Sequence, residues 1–389
     1  MKILVLTKRQ YMAKDLLDDR FGRFRELPLE LAERGHEVIG IACSYRPRKE
    51  GVTIDFAPSE HGSVTWHSIN VVEKLTPRLK RFAGVAAKLA ADFKPDLIWA
   101  CSDAYHAIFG VWLAKRVQTR CVIDLYDNFA AFRASRLPGV LALFRRAVRE
   151  ADGVTCFGKR MADHVVLTYG REKPITVIES GVRKDLFYPR DRAACRQRLG
   201  LPINAQIIGT AGALDSSRSI ETLFRAFECL AAEYDDLHLA LAGPRASGLR
   251  IPHGPRVHDL KELPHQEVPS FISALDLSAV CYRQSAQGEF SFPQKAYEIM
   301  ACRVPFIAAA VGTMNELLQK YPACLYASEN PESLAEAVRR QLKDKIIVDT
   351  EIPSWADSAK RLEVFFAQFI GANANRSEKD SVVETARES

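Results

Sequence analysis

The stretch "FSFPQKAYEIMACRVPFIAA" (Phe290–Ala309) joins an apolar helical segment to an apolar run that is typical of a buried strand. Pro293 suits the first turn of a helix, where its missing N–H costs nothing. Lys295 would share that turn, and Glu298 would lie one turn further along the same face. A helix N-terminus, a cation and a carboxylate in this spacing suit a nucleoside diphosphate. From spacing alone, a surface ion pair on an ordinary helix fits equally well.

Outward from this stretch, apolar strands alternate with amphipathic helices in two successive series. The first series predicts strands at 2–7, 96–100, 121–126, 153–158 and 175–181, a strand after Gly35, and helices at 25–34 and 104–117. The second predicts strands at 205–214, 237–243, 275–282 and 303–310, and helices at 219–234 and 354–369. Such alternation indicates an α/β fold with doubly wound parallel sheets. Neither series contains G-x-G-x-x-G, which disfavours a dinucleotide enzyme.

The composition fits a two-domain globular protein of 389 residues. No apolar run is long enough to span a membrane, and "MKILVLTKRQ" predicts a first strand rather than a signal peptide. The nine cysteines form no C-x-x-C pair, so we expect free thiols and a cytoplasmic location. The formal charge is +8 in residues 1–180 and −2 in the remainder, which suits an anionic membrane surface or merely a solvated basic face. The chain has no aromatic–basic stacking module, so we expect no nucleic-acid partner.

The segment "PQKAYEIMACRVP" closely resembles the P-x-K-x-x-E-x-M-A-x-x-x-P signature of family 4 glycosyltransferases. Other segments resemble that family in the expected order: "LAERGHEV" (31–38), "KPDLIWA" (94–100), "EADGVTCFGKRMADHV" (150–165), "VIESGVRKDLFYP" (177–189) and "SWADSAKRLEVFF" (354–366). The resemblance covers about residues 1–370. It implies the GT-B fold, two facing Rossmann-like doubly wound parallel-sheet domains with a cleft between them. It also implies a retaining, metal-independent enzyme.

The domain boundaries expected from this resemblance divide the chain into four parts. These are an N-terminal acceptor-side domain (1–185), a C-terminal nucleotide-sugar domain (186–352), a closing helix that packs back on the first domain (353–371) and a disordered tail (372–389).

The resemblance implies a donor site made mostly by the second domain. Glu298 would bind the nucleotide ribose, and Lys295 would lie near the diphosphate or donor sugar. Arg218 occupies the place of a phosphate-binding lysine in a K-G pair, which reads Arg218-Ser219 here. The remaining binding positions implied are Gly22, Gly212, Gly243, Ser291, Phe292 and Pro293, with Pro244 and residues 261–263 bordering the base.

The chain departs from the family pattern at three positions. Phe290 stands where the E-x7-E motif has its first carboxylate, although Glu289 is adjacent. Ala213 replaces an arginine that often contacts phosphate. Tyr126 replaces a histidine that commonly follows the fourth strand, which leaves Asp127 and His106 as catalytic candidates near strand ends. A structural role remains open for His106, a solvated side chain for Arg218 and a plain turn for Gly22.

Together these features predict a glycosyltransferase that uses a UDP- or GDP-linked sugar, with Lys295, Asp127 and His106 as its catalytic residues. The acceptor would be a saccharide or a lipid-linked saccharide in cell-surface polysaccharide or glycolipid synthesis. No metal and no cofactor other than the donor is expected. Basic amphipathic stretches at 72–94 and 132–150 suit peripheral contact with the inner face of a membrane. A catalytically silent GT-B binding protein and a nucleotide-sugar epimerase remain the alternatives.

Overall fold

The computed structural model describes residues 1–11, 14–57, 59, 61–71, 75–132, 135, 137–286, 288–290 and 294–370. Within them the chain forms two compact units. The first contains Met1–Ser180 and the C-terminal segment from Trp355, and the second contains Gly181–Ser354. The sequence analysis predicted the corresponding domain boundaries at residues 185 and 352. The expected tail at 372–389 lies outside the described residues.

The first unit is built on an eight-stranded sheet in the order β10-β9-β8-β7-β1-β4-β6-β5. All pairs are parallel except β5 with β6, and β2 and β3 form a separate antiparallel pair. The strands are β1 Lys2–Lys8, β2 Gln10–Tyr11, β3 Lys14–Asp15, β4 Glu37–Ser44, β5 Gly51–Phe56, β6 Ser63–Asn70, β7 Leu97–Ala100, β8 Arg120–Leu125, β9 Gly153–Cys156 and β10 Ile175–Val177. The helices are α1 Arg23–Glu33, α2 Leu75–Phe93, α3 Ala104–Arg116, α4 Val140–Glu150, α5 Lys159–Tyr169 and, at the end of the chain, α12 Trp355–Ile370.

One core of the first unit lies between the sheet, α1 and α12. Leu27 and Leu31 of α1 pack in the same buried cluster as Trp99 of β7 and Phe366 of α12. The heptad-like apolar stripe in "SWADSAKRLEVFFAQF" explains why this last helix returns to the first unit, since Leu362, Phe365 and Phe366 are all buried there.

The second unit has a six-stranded, wholly parallel sheet in the order β13-β12-β11-β14-β15-β16. The strands are β11 Gln206–Ala211, β12 Leu237–Ala242, β13 Val257–Asp259, β14 Leu277–Val280, β15 Phe306–Ala309 and β16 Leu325–Tyr326. The helices are α6 Arg192–Leu199, α7 Ile220–Ala231, α8 Val268–Ala274, α9 Gln294–Ala301, α10 Thr313–Leu317 and α11 Pro331–Lys343. Separate apolar clusters cover the two faces of this sheet, as a doubly wound arrangement requires.

The structure confirms the strands and helices predicted in both series, and it adds β2, β3, β5, β6, β13 and β16, which the sequence interpretation missed. "GVTIDF" (51–56) is short, its apolar residues face solvent, and it pairs antiparallel to β6 without an intervening helix. The search for alternating strands and helices therefore passed over this hairpin.

An ion pair buried in the first unit joins α1 to the sheet. The Arg23 guanidinium donates to both carboxylate oxygens of Asp124 on β8, at 2.9 and 2.8 Å, and both side chains are fully buried. The Thr155 hydroxyl donates a further hydrogen bond to Asp124, at 2.5 Å. Each buried charge is stabilised by the other. Removal of either one would leave a buried charge with neither a partner nor water.

We therefore expect Arg23→Met and Asp124→Asn each to lower the free energy of unfolding by about 3 kcal/mol or more. The double variant should lose less than the sum of the two, because it leaves no charge unpaired. Urea unfolding followed by circular dichroism measures both effects. Lys88→Met breaks the fully exposed Lys88–Asp92 pair and serves as the control, for which we expect no measurable change. Full additivity of the two buried substitutions would contradict this interpretation.

Candidate functional site

Two glycines meet at the carboxyl edge of the second sheet, where β11 and β12 end. Gly212 and Gly243 follow these strands with φ of +109° and +141°. A Cβ added to Gly243 would lie 2.0 Å from the Gly212 carbonyl oxygen. The Gly212 N–H donates to the Ala242 carbonyl at 2.8 Å, and the Gly243 N–H donates to the Lys261 carbonyl at 2.7 Å. Only glycine allows two backbones this close with positive φ.

Helix α9 places Lys295 directly over this glycine pair. A Cβ on Gly212 would lie 2.4 Å from the Lys295 ammonium nitrogen, so the ammonium occupies the space that a side chain would fill. Glu298 follows one turn along the helix and is 8% exposed. The Gln294 side chain donates to the Gly181 carbonyl at 3.3 Å and holds the first residue of the helix. The spacing of Lys295 and Glu298 therefore brings both to one site, as the sequence predicted.

Burial shifts the pKa values of both charged groups toward neutrality. Burial, together with the nearby Arg218 charge, lowers the pKa of Lys295 to about 7. Burial raises the pKa of Glu298 to about 7, against the attraction of Lys295. The site thus holds an ammonium and a carboxylate that are poorly solvated, and an anionic, hydroxyl-bearing ligand would supply the contacts that water does not.

Arg218 brings a second cation close enough to affect the Lys295 pKa. Its guanidinium lies 5.5 Å from the centre of the Tyr282 ring and donates to the Tyr282 hydroxyl at 3.3 Å. The Asp215 side chain accepts a hydrogen bond from the Arg218 N–H. Ser219 has φ of +55°, so it keeps the left-handed conformation of the glycine that it replaces. Tyr282 and Asp215 were missed by the sequence interpretation, because nothing in their local pattern marks them as neighbours of Lys295.

The loop before α9 is only partly described. Ser291, Phe292 and Pro293, all predicted to contact the donor, lie outside the described residues. Residues Gly288–Phe290 form a 3₁₀ turn, in which Phe290 stands at the position of the missing carboxylate. Gly312, with φ of +50°, backs onto this turn, since a Cβ there would lie 2.4 Å from the Glu289 carbonyl oxygen.

The first unit has its own polar cluster at the carboxyl edge of its sheet. Asp127 follows β8, is partly buried, and accepts a hydrogen bond from the Asn128 N–H at 2.7 Å. Lys8 ends β1, with its ammonium 5.8 Å from the Tyr126 ring centre and 5.6 Å from the Phe132 ring centre. Burial lowers the pKa of Lys8, while the charges of Asp103 and Asp127 oppose that change. Lys8 was missed by the sequence interpretation, because a lysine at the end of a strand is usually solvated.

His106 lies in the first turn of α3 and is 3% exposed. The Asp103 carboxylate, the N-cap of that helix, accepts from the His106 backbone N–H at 2.9 Å and from ring Nδ1 at 2.8 Å. Burial lowers the pKa of His106, but the Asp103 carboxylate outweighs it and raises the pKa to about 10. An enclosed imidazolium is poorly suited to accept a proton from an acceptor, so this geometry favours Asp127 of the two catalytic candidates.

Gly22 precedes α1 with φ of +96°, and its carbonyl accepts from the N–H groups of Arg25 and Glu26. The neighbouring Arg23–Asp124 pair fixes the start of this helix against β8. Gly22 therefore marks a glycine turn at the N-terminus of a firmly anchored helix, and its predicted contact with the donor phosphate stays a prediction.

The family models agree with this architecture. Residues 23–186 match the model described as Glycosyltransferase Family 4, and residues 205–344 match that described as Glycosyl transferases group 1. The chain belongs to the family 4 glycosyltransferases. This confirms the family that the signature around Lys295 and Glu298 predicted.

Solved structures show that this family 4 member has the GT-B fold. Sucrose-phosphate synthase from Thermosynechococcus elongatus matches with a TM-score of 0.69 at 20% identity, covering 99% of this chain and 100% of that one. HepE of Anabaena in complex with UDP matches with a TM-score of 0.66 at 18% identity, with the same coverage. The predicted GT-B type, two parallel-sheet α/β domains, is confirmed.

Curated relatives include D-inositol 3-phosphate glycosyltransferase of Mycobacterium bovis and of Mycobacterium tuberculosis. Each is 28% identical over 232 residues, which is 56% of this chain. The match spans less than half the length of these relatives, 42%.

Two further properties concern the part of the chain that the structure describes. No group of three or more His, Cys, Asp and Glu side chains there is arranged to hold a metal ion. No helix there has both the length and the apolar character needed to span a membrane.

The buried pair Lys295–Glu298 should lower the stability of the unliganded protein. With its pKa lowered, Lys295 binds fewer protons folded than unfolded between about pH 7 and 10.5, so stability rises with pH there. With its pKa raised, Glu298 binds more protons folded than unfolded between about pH 4.5 and 7, so stability falls as pH rises there. The cost of burying the Lys295 ammonium and the cost of burying the Glu298 carboxylate therefore overlap most strongly near neutral pH.

We expect Lys295→Met and Glu298→Gln each to increase the free energy of unfolding of the unliganded protein at pH 7 by about 1 kcal/mol. The melting temperature should rise by a few degrees. Differential scanning calorimetry measures the change. Lys320→Met, at an exposed position of the same unit, is the matched control and should leave the melting temperature unchanged. A decrease for both site variants would show that the pair stabilises the fold instead.

Proposed function

We propose that this chain is a retaining glycosyltransferase that moves a sugar from a UDP- or GDP-linked donor to a saccharide or lipid-linked acceptor. The observation that carries the proposal is the placement of Lys295 over Gly212, with Glu298 buried one turn further along α9. This arrangement presents positive charge beside the backbone at a strand end, with a carboxylate one helical turn away.

The cations of the second unit suit the diphosphate of such a donor. As the bond from the sugar to the diphosphate breaks, negative charge builds up on the leaving phosphate oxygens. Lys295 and Arg218 are fixed before the reaction by α9 and by the Tyr282 contact, so they stabilise that charge with little rearrangement. The positive end of the α9 dipole adds to this effect.

Glu298 is suited to the ribose. Two vicinal hydroxyls donate readily to one carboxylate, and each such charge-assisted hydrogen bond is stronger than a neutral one. In the family that this chain belongs to, the donor phosphate itself assists deprotonation of the acceptor on the face from which it departs. Retention by that route requires no carboxylate nucleophile, which is consistent with Phe290 at the position of the missing glutamate.

The acceptor side of the proposal rests on the carboxyl edge of the first sheet. Asp127 offers a carboxylate to an acceptor hydroxyl, next in the chain to the half-buried Tyr126 ring. Lys8 lies over that ring and its charge interacts with Asp127. A carboxylate at this position can accept hydrogen bonds from sugar hydroxyls.

The relatives support the choice of donor. The HepE structures were solved in complex with UDP and with UDP-glucose. We therefore propose UDP ahead of GDP as the nucleotide. Cell-surface polysaccharide or glycolipid synthesis remains our proposal for the biological setting.

The setting that we propose is the cytoplasmic side of a membrane, without a nucleic-acid partner. The nine cysteines are free thiols, and all but Cys229 are buried, which suits a reducing compartment. Helix α4 exposes Leu143 beside Arg145, Arg146 and Arg149, and α3 exposes Trp112 with the Arg116 guanidinium over its ring. Exposed apolar side chains surrounded by arginines suit an anionic lipid surface.

A thermal-shift panel of UDP, GDP, ADP, CMP and dTDP, with EDTA and with Mg²⁺, tests the proposal. We expect UDP to raise the melting temperature without metal. At a UDP concentration of a hundred times the dissociation constant, the free energy of unfolding should increase by ~2.7 kcal/mol. Glu298→Ala should abolish the shift, and Glu336→Ala, at an exposed position of α11, should leave it intact. A shift without release of sugar from UDP-glucose would favour the silent binding protein, and no shift with any nucleotide would refute the donor site.

Nucleotide affinity should depend on pH with a maximum near pH 7. Above the Lys295 pKa of about 7 the free protein loses the ammonium that attracts the diphosphate. Below the Glu298 pKa of about 7 it loses the carboxylate that accepts from ribose. Isothermal titration calorimetry with UDP between about pH 5.5 and pH 9 measures both limbs. Lys295→Arg keeps its charge and should remove only the alkaline limb; a flat profile in the wild-type protein would count against both roles.

A further inference from the structure

Strand β5 (Gly51–Phe56) forms an open edge of the first sheet. It stands last in the strand order and pairs antiparallel to β6 on one side only. On its other side no strand lies within the part of the chain that the structure describes. A free edge of this kind offers a row of backbone donors and acceptors to another strand.

The same strand exposes an apolar stripe. Val52, Ile54 and Phe56 alternate along it and are 61%, 51% and 57% exposed. Alternate residues share one face of a strand, so the three side chains form a continuous row. Their cross-strand neighbours on β6 are the polar residues His67, Thr65 and Ser63. The row therefore lies at the rim of the sheet with polar residues behind it.

A buried ion pair holds this stripe outward. Asp55 lies on the opposite face of β5 and accepts two hydrogen bonds from the Arg25 guanidinium, at 2.7 and 3.0 Å. Both side chains are buried. A slip of β5 by one residue would bury the apolar row, but it would also expose the partner of Arg25 and leave a buried charge unpaired. The outward row is thus fixed by the charges beneath it.

Edge strands that remain unpaired usually carry an outward charge. In β5 the charged residue is Asp55, and it points inward to Arg25. We propose that β5 pairs antiparallel with β5 of a second copy of this chain, around a two-fold axis close to Ile54. This proposal is independent of the proposed function.

The sequence of β5 is self-complementary in that register. Ile54 would face the partner's Ile54, and Val52 would face the partner's Phe56. Positions that face one another across this axis differ by an even number, so the two apolar rows lie on the same face of the joined sheet. A single surface that fits itself is what a two-fold dimer requires, and this favours a second copy over an unrelated partner.

Charge also permits this pairing. Arg46, Arg48 and Lys49 precede β5 and would repel their counterparts in a parallel arrangement. In the antiparallel arrangement Arg48 and the partner's Arg48 precede opposite ends of the paired strands. Each Arg48 is also paired with Asp15 of its own chain at 3.2 Å, which further weakens the repulsion between copies.

The contact is small for a dimer interface. One strand and three apolar side chains bury less than the ~800 Å² per partner of a standard interface. We therefore expect a dimer that dissociates on dilution, with a dissociation constant on the order of 10 µM.

Sedimentation velocity between about 1 and about 100 µM tests the dimer. The wild-type protein should shift from monomer to dimer over this range. Ile54→Lys should remain a monomer throughout, with an unchanged circular dichroism spectrum. Val364→Lys removes an apolar residue of similar exposure, 59%, from α12 and should dimerise like the wild type. A wild-type monomer at every concentration, or a dimer that survives Ile54→Lys, would overturn the proposal.

Disulfide trapping tests the register, even if Ile54→Lys does not fold. Cys229 is the one exposed native thiol, so the experiment uses a Cys229→Ser background. Ile54→Cys should form a covalent dimer under mild oxidation, because residues on the axis bring their Cβ atoms close together. Thr53→Cys, which points to the other face and lies off the axis, should not. Equal cross-linking of both variants, or none at Ile54→Cys at about 100 µM, would contradict the proposed pairing.

Discussion

The contact between the backbones of Gly212 and Gly243 is the constraint on which the donor site depends. Because a Cβ at Gly243 would lie 2.0 Å from the Gly212 carbonyl oxygen, the turns that follow β11 and β12 can lie side by side only as glycines. Their closeness leaves a space over Gly212, and the Lys295 ammonium occupies it. A larger residue at either turn would displace the lysine from the strand ends. The position of the Lys295 ammonium thus requires glycine at both turns.

Both units bury charge at the carboxyl edges of their sheets, but with different consequences. In the first unit Arg23 and Asp124 satisfy one another through two hydrogen bonds, and the pair anchors α1. In the second unit Lys295 and Glu298 are close in sequence and buried, yet burial moves the pKa of each toward its neutral form. A satisfied pair supports a fold, whereas an incompletely solvated pair favours a ligand that brings opposite charge and hydroxyl groups. This contrast separates a pair that supports the fold from the two buried groups to which we assign the proposed donor site.

The sequence predicted most of the fold and the shared position of Lys295 and Glu298 on one helix, for a physical reason. Helical spacing is local, so the shared face of Lys295 and Glu298 follows from three intervening residues, and buried parallel strands are apolar enough to be found by pattern. Lys8, Tyr282 and Asp215 are brought to their sites by the pairing of strands distant in sequence, and no local pattern reports that. The environment of His106 was equally hidden, since its raised pKa depends on the enclosed carboxylate of Asp103. Strand β5 carried a readable alternation at Val52, Ile54 and Phe56, but its apolar side faces solvent, opposite to the usual expectation.

The departures from the family pattern separate backbone requirements from side-chain requirements. Ser219 keeps a φ of +55° without being glycine, so the turn before α7 is retained at some conformational cost while Arg218 keeps the positive charge. Phe290, in contrast, removes a carboxylate and supplies nothing of similar chemistry at that position. Contacts to a diphosphate depend on charge and backbone, which this chain preserves, whereas contacts to individual sugar hydroxyls depend on directed acceptors. The chain therefore retains the charge and backbone of the proposed diphosphate contacts, and Phe290 places its distinctive feature among the groups that would contact the transferred sugar.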